Sequence, residues 1–169
     1  AVTVNGGGTI SPGTASSIGT LTLASSPTLS GTTSVKINRN GGAFLADKLI
    51  RSGGALNYGG TLVVGNIGAA LVGGEIFTNF SANSYSGAFA SMTLPSLSAG
   101  MNWYTNGLLV NGTLKVNRSP IAPAALIVTN NPGDLLEIPL ANLLQGASDL
   151  DADTLTVSEI NPTSTNGVS

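Results

Sequence analysis

Between residues 1 and 118 the chain advances in bursts of four to six residues that alternate polar and apolar, and glycine or asparagine recurs between the bursts. Thr20-Leu21-Thr22-Leu23, Ser34-Val35-Lys36-Ile37-Asn38, Glu75-Ile76-Phe77-Thr78, Phe89-Ala90-Ser91-Met92-Thr93-Leu94 and Thr113-Leu114-Lys115-Val116 all follow this pattern. A period of two places successive side chains on opposite faces of a strand, and β-branched residues favour that pleated surface. Helical periodicity is absent here. Turn signals fall at Gly6-Gly7-Gly8, Asn40-Gly41-Gly42, Gly53-Gly54, Gly59-Gly60, Gly73-Gly74 and Asn111-Gly112. The last has the residue types of a tight hairpin, because both tolerate positive φ. Hydrophobic residues make up 41% of the chain but aromatics only 5%, so Leu, Val, Ile and Ala must fill the core in thin layers. Closely stacked sheets with glycine at the corners suit such a composition.

Four bursts share one opening: Gly8-Thr9-Ile10, Gly19-Thr20-Leu21, Gly60-Thr61-Leu62 and Gly112-Thr113-Leu114. Their spacing is irregular, yet a glycine corner followed by a short strand is the form of a β-solenoid coil, which buries its inward residues against the next coil. The expected fold is therefore all-β, with solenoid coils, a β-sandwich, or both. A second segment begins near Arg118. Twenty of the 23 glycines precede residue 119, and five of the eight prolines lie from Pro120 onward. The organisation read from this is a glycine-rich module at 1–118, a proline-containing linker at 119–124 and a partial module at 125–169. Charge divides at the same place: residues 1–118 hold six bases and two acids, a balance of +4, and residues 119–169 hold six acids and no base, a balance of −6. Two modules of different ancestry account for this, and head-to-tail attraction between copies is the alternative.

With no histidine and no cysteine, the chain lacks the groups most used for proton transfer, nucleophilic attack and transition-metal binding. Its expected function is accordingly not enzymatic. The six bases are too scattered for a nucleic-acid face, and the glycine runs lack the lysine and strand-helix context of a phosphate loop. No apolar run approaches a membrane span, and Ala1 reads as a processed or excised start. Low charge with abundant Thr, Asn and Ser points to a secreted, cell-surface location.

In the second segment, residues 125–129 and 135–139 read as strands around Asn130-Asn131-Pro132-Gly133-Asp134. Leu140, Leu143 and Leu144 have the spacing of one helical turn, stopped by Gly146. A last strand is expected over 154–160. Between them Asp149, Asp151 and Asp153 form the one cluster with metal-ligand character. Alternate positions on an extended segment converge hard oxygen donors, which Ca²⁺ prefers, and Glu159 and backbone carbonyls are further donors. A solvated acidic turn is the alternative reading. Tyr85, Trp103 and Tyr104 are candidates for an aromatic carbohydrate platform, against the reading of Trp103 as a large core residue. The sequons at Asn79, Asn111 and Asn117 read as chance occurrences in a chain rich in Asn, Ser and Thr.

Two resemblances rest on these residues. Gly7-Gly8-Thr9-Ile10-Ser11-Pro12-Gly13, Ile18-Gly19-Thr20-Leu21-Thr22-Leu23 and Leu56-Asn57-Tyr58-Gly59-Gly60-Thr61-Leu62-Val63-Val64 resemble the autotransporter-associated β-strand repeats of large bacterial surface proteins. The continuation through Tyr85-Ser86-Gly87-Ala88-Phe89, Trp103 and Asn111-Gly112-Thr113 is similar to the segment that ends such arrays, so this resemblance covers about residues 1–118. It implies a right-handed β-helix, or a solenoid running into a sandwich cap, that serves display or adhesion. Residues 121–169 resemble the start of a cadherin-like or bacterial Ig-like tandem domain, through Leu135-Leu136-Glu137-Ile138-Pro139, Ala147-Ser148-Asp149-Leu150-Asp151-Ala152-Asp153 and Asn166-Gly167-Val168. The family's domain is longer than what remains here, so either the chain is a fragment of a longer protein or another copy completes the sheet. The expected function is a non-catalytic extracellular segment of a bacterial adhesin or filament. Its partners are adjacent domains or neighbouring copies, with no nucleic acid and no membrane span. A self-polymerising subunit completed by strand addition is one alternative. The other is a carbohydrate-binding module whose partner is a cell-surface or glycan receptor.

Overall fold

The computed structural model describes residues 1–123, 126, 128–129, 131, 133–134 and 136–159. Contacts divide the chain into two compact units, Ala1–Asn117 and Arg118–Ser169. The first is a β-solenoid of about three turns built from parallel coils. Coil one holds β1 (Thr3–Val4), β2 (Thr9–Ile10) and β3 (Thr20–Leu23). Coil two holds β4 (Thr28–Leu29), β5 (Thr32–Asn40), β6 (Ala43–Ala46) and β7 (Lys48–Arg51). Coil three holds β8 (Ala55–Tyr58), β9 (Thr61–Asn66), β10 (Ile76–Thr78) and β11 (Phe80–Ser81). A partial fourth passage contributes β12 (Ser84–Gly87) and β13 (Ser91–Thr93), and the unit finishes with β14 (Met101–Tyr104), a 3-10 turn at Asn106–Leu109 and β15 (Thr113–Arg118).

Parallel pairing sets the register. The longest stack runs β13-β9-β5-β2, and the side facing the core reads Ile10, Thr33, Leu62, Met92 from coil to coil. A second stack runs β11-β7-β3, with Leu21, Leu49 and Phe80 in register. In the remaining direction β1 pairs with β4 and β8 with β12, which sets Val4 on Leu29 and Leu56 on Tyr85. Coils of this kind bury one residue in two, so aliphatic columns replace a thick aromatic core. Four of the eight aromatics gather in one cluster, where Tyr58 packs against Phe80, Tyr85 and Phe89, and Phe44 meets Phe77 edge-on in a separate pair.

The four Gly-Thr openings sort onto two corners, and Gly31-Thr32 joins them as a fifth. Gly8, Gly31 and Gly60 precede Thr9, Thr32 and Thr61 in one stack, and the carbonyl of each glycine accepts an N–H from the coil above: Thr32 to Gly8 at 2.8 Å, Thr61 to Gly31 at 2.9 Å and Ala90 to Gly60 at 2.7 Å. A Cβ on Gly60, whose φ is +60°, would lie 2.0 Å from the Gly31 carbonyl oxygen. The corner is therefore closed to every other residue type. Gly19 and Gly112 occupy the second corner, where Lys48 N–H donates to Gly19 O and Asn79 and Phe80 N–H donate to Gly112 O.

The Asn111-Gly112 hairpin expected from sequence is not formed. The 3-10 turn at Asn106–Leu109 separates β14 from β15, and Gly112, with φ of +75°, serves the corner instead. The two-residue hairpin is at Gly41-Gly42, where Asn40 pairs with Ala43 to join β5 and β6.

In the second unit, taken alone, α1 (Leu140–Leu143) forms as its leucine spacing predicts. Gly146 at φ +83° follows it, and Ile121 and Ser148 form an antiparallel bridge. The expected strand at 125–129, the turn at 130–134, Leu135, Ile160 and the Asn166-Gly167-Val168 segment fall wholly or partly outside the described residues. Among the described residues, 136–139 join no ladder. Pro139 lies at the N-terminal boundary of α1; it has no N–H to donate to a sheet, and its carbonyl accepts the Asn142 N–H of the helix. Residues 154–159 likewise form no strand ladder.

Gly60→Ala is expected to destabilise the solenoid by at least ~3 kcal/mol, from left-handed strain plus the backbone clash. Gly42→Ala, with nothing within 4 Å of the added Cβ, should stay within ~0.5 kcal/mol in the same urea titrations.

Candidate functional site

The buried charge of the solenoid lies at its second corner. Asp47, just before β7, has no exposed surface. Its Oδ1 accepts Gly19 N–H at 2.7 Å, and its Oδ2 accepts both the N–H and the Nζ of Lys36, at 2.8 and 2.6 Å. Lys36 Nζ also donates to Pro12 O at 3.0 Å, and Asn79 Nδ2 donates to the Asp47 carbonyl at 3.1 Å. Coils one and two thus meet on the Asp47 carboxylate, and coil three on its backbone carbonyl. A second buried acid, Glu75, accepts the N–H groups of Val72 and Gly73 at 2.8 Å each, with Arg39 Nε 3.2 Å away as an ion-pair partner. Both acids of the solenoid are bound up in this way. Neither Lys36 with Asp47 nor Arg39 with Glu75 stands out as a pair in the sequence, because each residue occupies an ordinary place in a burst or turn.

Tyr58 caps the aromatic cluster by donating its hydroxyl to Leu108 O at 2.9 Å. Burial, and then the neighbouring Tyr85, push its phenol well above its ordinary value, so it remains a neutral donor. The three aromatics considered for a carbohydrate platform sit in different surroundings. Tyr85 stacks inward on Tyr58, its hydroxyl engaged with Ala82 N–H and Phe80 O, and Trp103 is half-buried with Nε1 donating to Pro95 O at 2.9 Å. Tyr104 is exposed. The sequon residue Asn79 is fully buried, which leaves no room for a glycan there.

The two ends of the solenoid differ from its middle. Residues 1–35 and 76–114 contain no charged side chain, whereas Lys36, Arg39, Asp47, Lys48, Arg51 and Glu75 all fall between them. At the first end β1, β2 and β3 are each the outermost strand of their stack. At the other, β12 packs against the 3-10 turn and the corner before β11 is covered by Gly112, but β13 is an edge strand with all three residues exposed. Natural sheets protect edges with charge or proline, and neither occurs within these edge strands.

Asp149, Asp151 and Asp153 do come together in the second unit, with one carboxylate oxygen from each within 4.8 Å of the others. All three already have partners. Asp151 accepts Arg118 N–H at 2.7 Å on Oδ2 and Arg118 Nη1 at 2.9 Å on Oδ1, and Asp149 Oδ1 accepts the N–H groups of Asp151 and Asp153 at 2.7 and 3.3 Å. Ala152, at φ +58°, bends the turn so that these bonds can form. Ca²⁺ takes six to eight oxygens, so an ion here would have to displace Arg118 and recruit donors beyond the three carboxylates. As described, the donor set is that of a turn neutralised by arginine.

No family model, curated protein or solved structure matches this chain.

With Arg118 as the counter-ion, Ca²⁺ at ~1 mM, the range of extracellular modules, is expected to leave the thermal melting of the full chain unchanged. A rise of ~3 °C or more would mean that Ca²⁺ displaces Arg118 and is bound by the folded form.

Proposed function

We propose that this chain is a non-catalytic structural segment of a bacterial extracellular surface protein, an adhesin or filament that acts through β-sheet assembly. The observation that carries the reading is the first coil, in which three stacks end together in edge strands that hold no charge. A solenoid that ends its stacks in this way is suited to continuing them. The absence of histidine and cysteine, and the commitment of Asp47 and Glu75 to internal ion pairs, support a role without catalysis. The resemblance of residues 1–118 to autotransporter-associated β-strand repeats supports a bacterial surface protein. That of residues 121–169 to the start of a cadherin-like or Ig-like domain supports a further bead after the solenoid. No helix among the described residues is long and apolar enough to cross a membrane.

Antibody raised against the solenoid should label intact cells of the source organism as strongly as permeabilised ones. Labelling only after permeabilisation would overturn the extracellular assignment.

A further inference from the structure

The stack β13-β9-β5-β2 turns a ladder of hydroxyls outward. Ile10, Thr33 and Leu62 are buried, so the residues flanking them in their strands face the other way. Register sets Thr9, Thr32, Thr61 and Ser91 in one column, and Ser34, Val63 and Thr93 in a second. Every one of these residues is exposed or half-buried, and the Thr61 and Ser91 hydroxyls lie 3.0 Å apart. No charge stands among them. Lys36 comes next in the outward register of β5, beyond Ser34, yet only 8% of its surface is exposed, because Nζ is drawn to Pro12 O and Asp47. The ion pair thus withdraws the charge that would border this face. The neighbouring stack shows the contrast, since the outward Thr20 and Thr22 of β3 meet Lys48 and Ile50 of β7.

Neighbouring strands lie about 4.7–4.9 Å apart, which fixes the spacing within each column, and alternate residues of a parallel strand set the two columns about 6.6 Å apart. Water molecules joined tetrahedrally by hydrogen bonds of about 2.75 Å repeat at about 4.5 Å within a layer of ice and at about 7.3 Å across the layers. The column spacing agrees with the first repeat to within about 0.4 Å, and the spacing between columns departs from the second by about 0.7 Å. The columns therefore carry the match. Over three gaps the drift is about 1 Å, which rotation of the hydroxyls and their side chains absorbs. We propose that this face binds ice, its hydroxyls standing in for a row of lattice waters while the methyl groups of the threonines and Val63 lie between rows. A sugar polymer also presents hydroxyls, but the two columns hold no aromatic side chain on which its rings could stack. The proposal adds a ligand to the structural segment inferred above and rests on that reading only for location, outside the cell where an ice surface is met.

The test grows ice slowly from a dilute solution of the full chain and measures how the protein divides between ice and liquid. Inert solutes are left in the liquid. The unmodified chain should be taken into the ice, and should shape single ice crystals held just below melting into facets. Thr61→Lys places a charge in the middle of the first column, and Thr93→Lys places one in the second at a fully exposed position where folding is not at stake. Both should be left in the liquid and lose the faceting. Thr22→Lys, on the outward face of β3, should enter ice as the unmodified chain does, with circular dichroism confirming the fold of each variant. An unmodified chain that stays in the liquid would overturn the proposal whatever the variants do. Uptake undiminished in both Thr61→Lys and Thr93→Lys would also overturn it, because the contact would then lie on another surface. Exclusion from ice together with retention on insoluble cellulose or chitin would overturn it in favour of a sugar polymer. Each of these results leaves the surface labelling of cells unaffected.

Discussion

Asp47 places a full negative charge where no water reaches it, and the solenoid is arranged around meeting that charge. Three donors converge on its carboxylate from two coils, and its carbonyl ties in a third through Asn79. An ionised carboxylate withdrawn from water costs several kcal/mol, which a single partner seldom offsets. Here the ammonium of Lys36 supplies the opposite charge and two backbone amides supply the remaining hydrogen bonds. The consequence is positional: Lys36 can reach Pro12 O and Asp47 together only when the coils sit in one register. In a chain whose parallel strands are mostly two to four residues long, ladder hydrogen bonds alone leave register weakly specified, and the clasp fixes it.

The glycine corner does the complementary work. Where Asp47 draws coils together by charge, Gly8, Gly31 and Gly60 let the backbone of one coil rest directly on that of the next. Close backbone approach keeps the columns thin, and thin columns need only Leu, Val and Ile to fill them. The scarcity of aromatics and the abundance of glycine thus have one physical cause. Charged side chains are absent from residues 1–35 and 76–114, so the first coil and β13 are neutral, whereas Glu75 belongs to coil three and Lys115 to β15. Three of the six bases, Lys36, Arg39 and Arg118, are ion-paired within their own unit.

Much of this fold was legible in the sequence, and what was not has identifiable reasons. The alternating bursts and the Gly-Thr openings led to an all-β solenoid, because period and corner chemistry are local properties. Gly31 escaped notice because it is followed by Thr32-Thr33 rather than by an aliphatic residue, and Thr33 nonetheless fills a core column. Asn111-Gly112 has the residue types of a hairpin, yet its positive-φ glycine serves a corner set by distant residues. Lys36 and Asp47 were invisible as a pair, since a charge on an alternating strand ordinarily marks the solvent face. The acidic triplet was found from spacing alone, while its partner Arg118 lies 33 residues from Asp151 and could be matched to it only in three dimensions.

The most direct test of the Asp47 clasp is the equilibrium stability of Asp47→Asn, which keeps the side-chain shape but leaves Lys36 buried without its counter-charge. Urea unfolding should show a loss of about 3–5 kcal/mol, the cost of stranding one member of a buried pair. A loss under ~1 kcal/mol, the size expected for a solvent-exposed ion pair, would contradict the account.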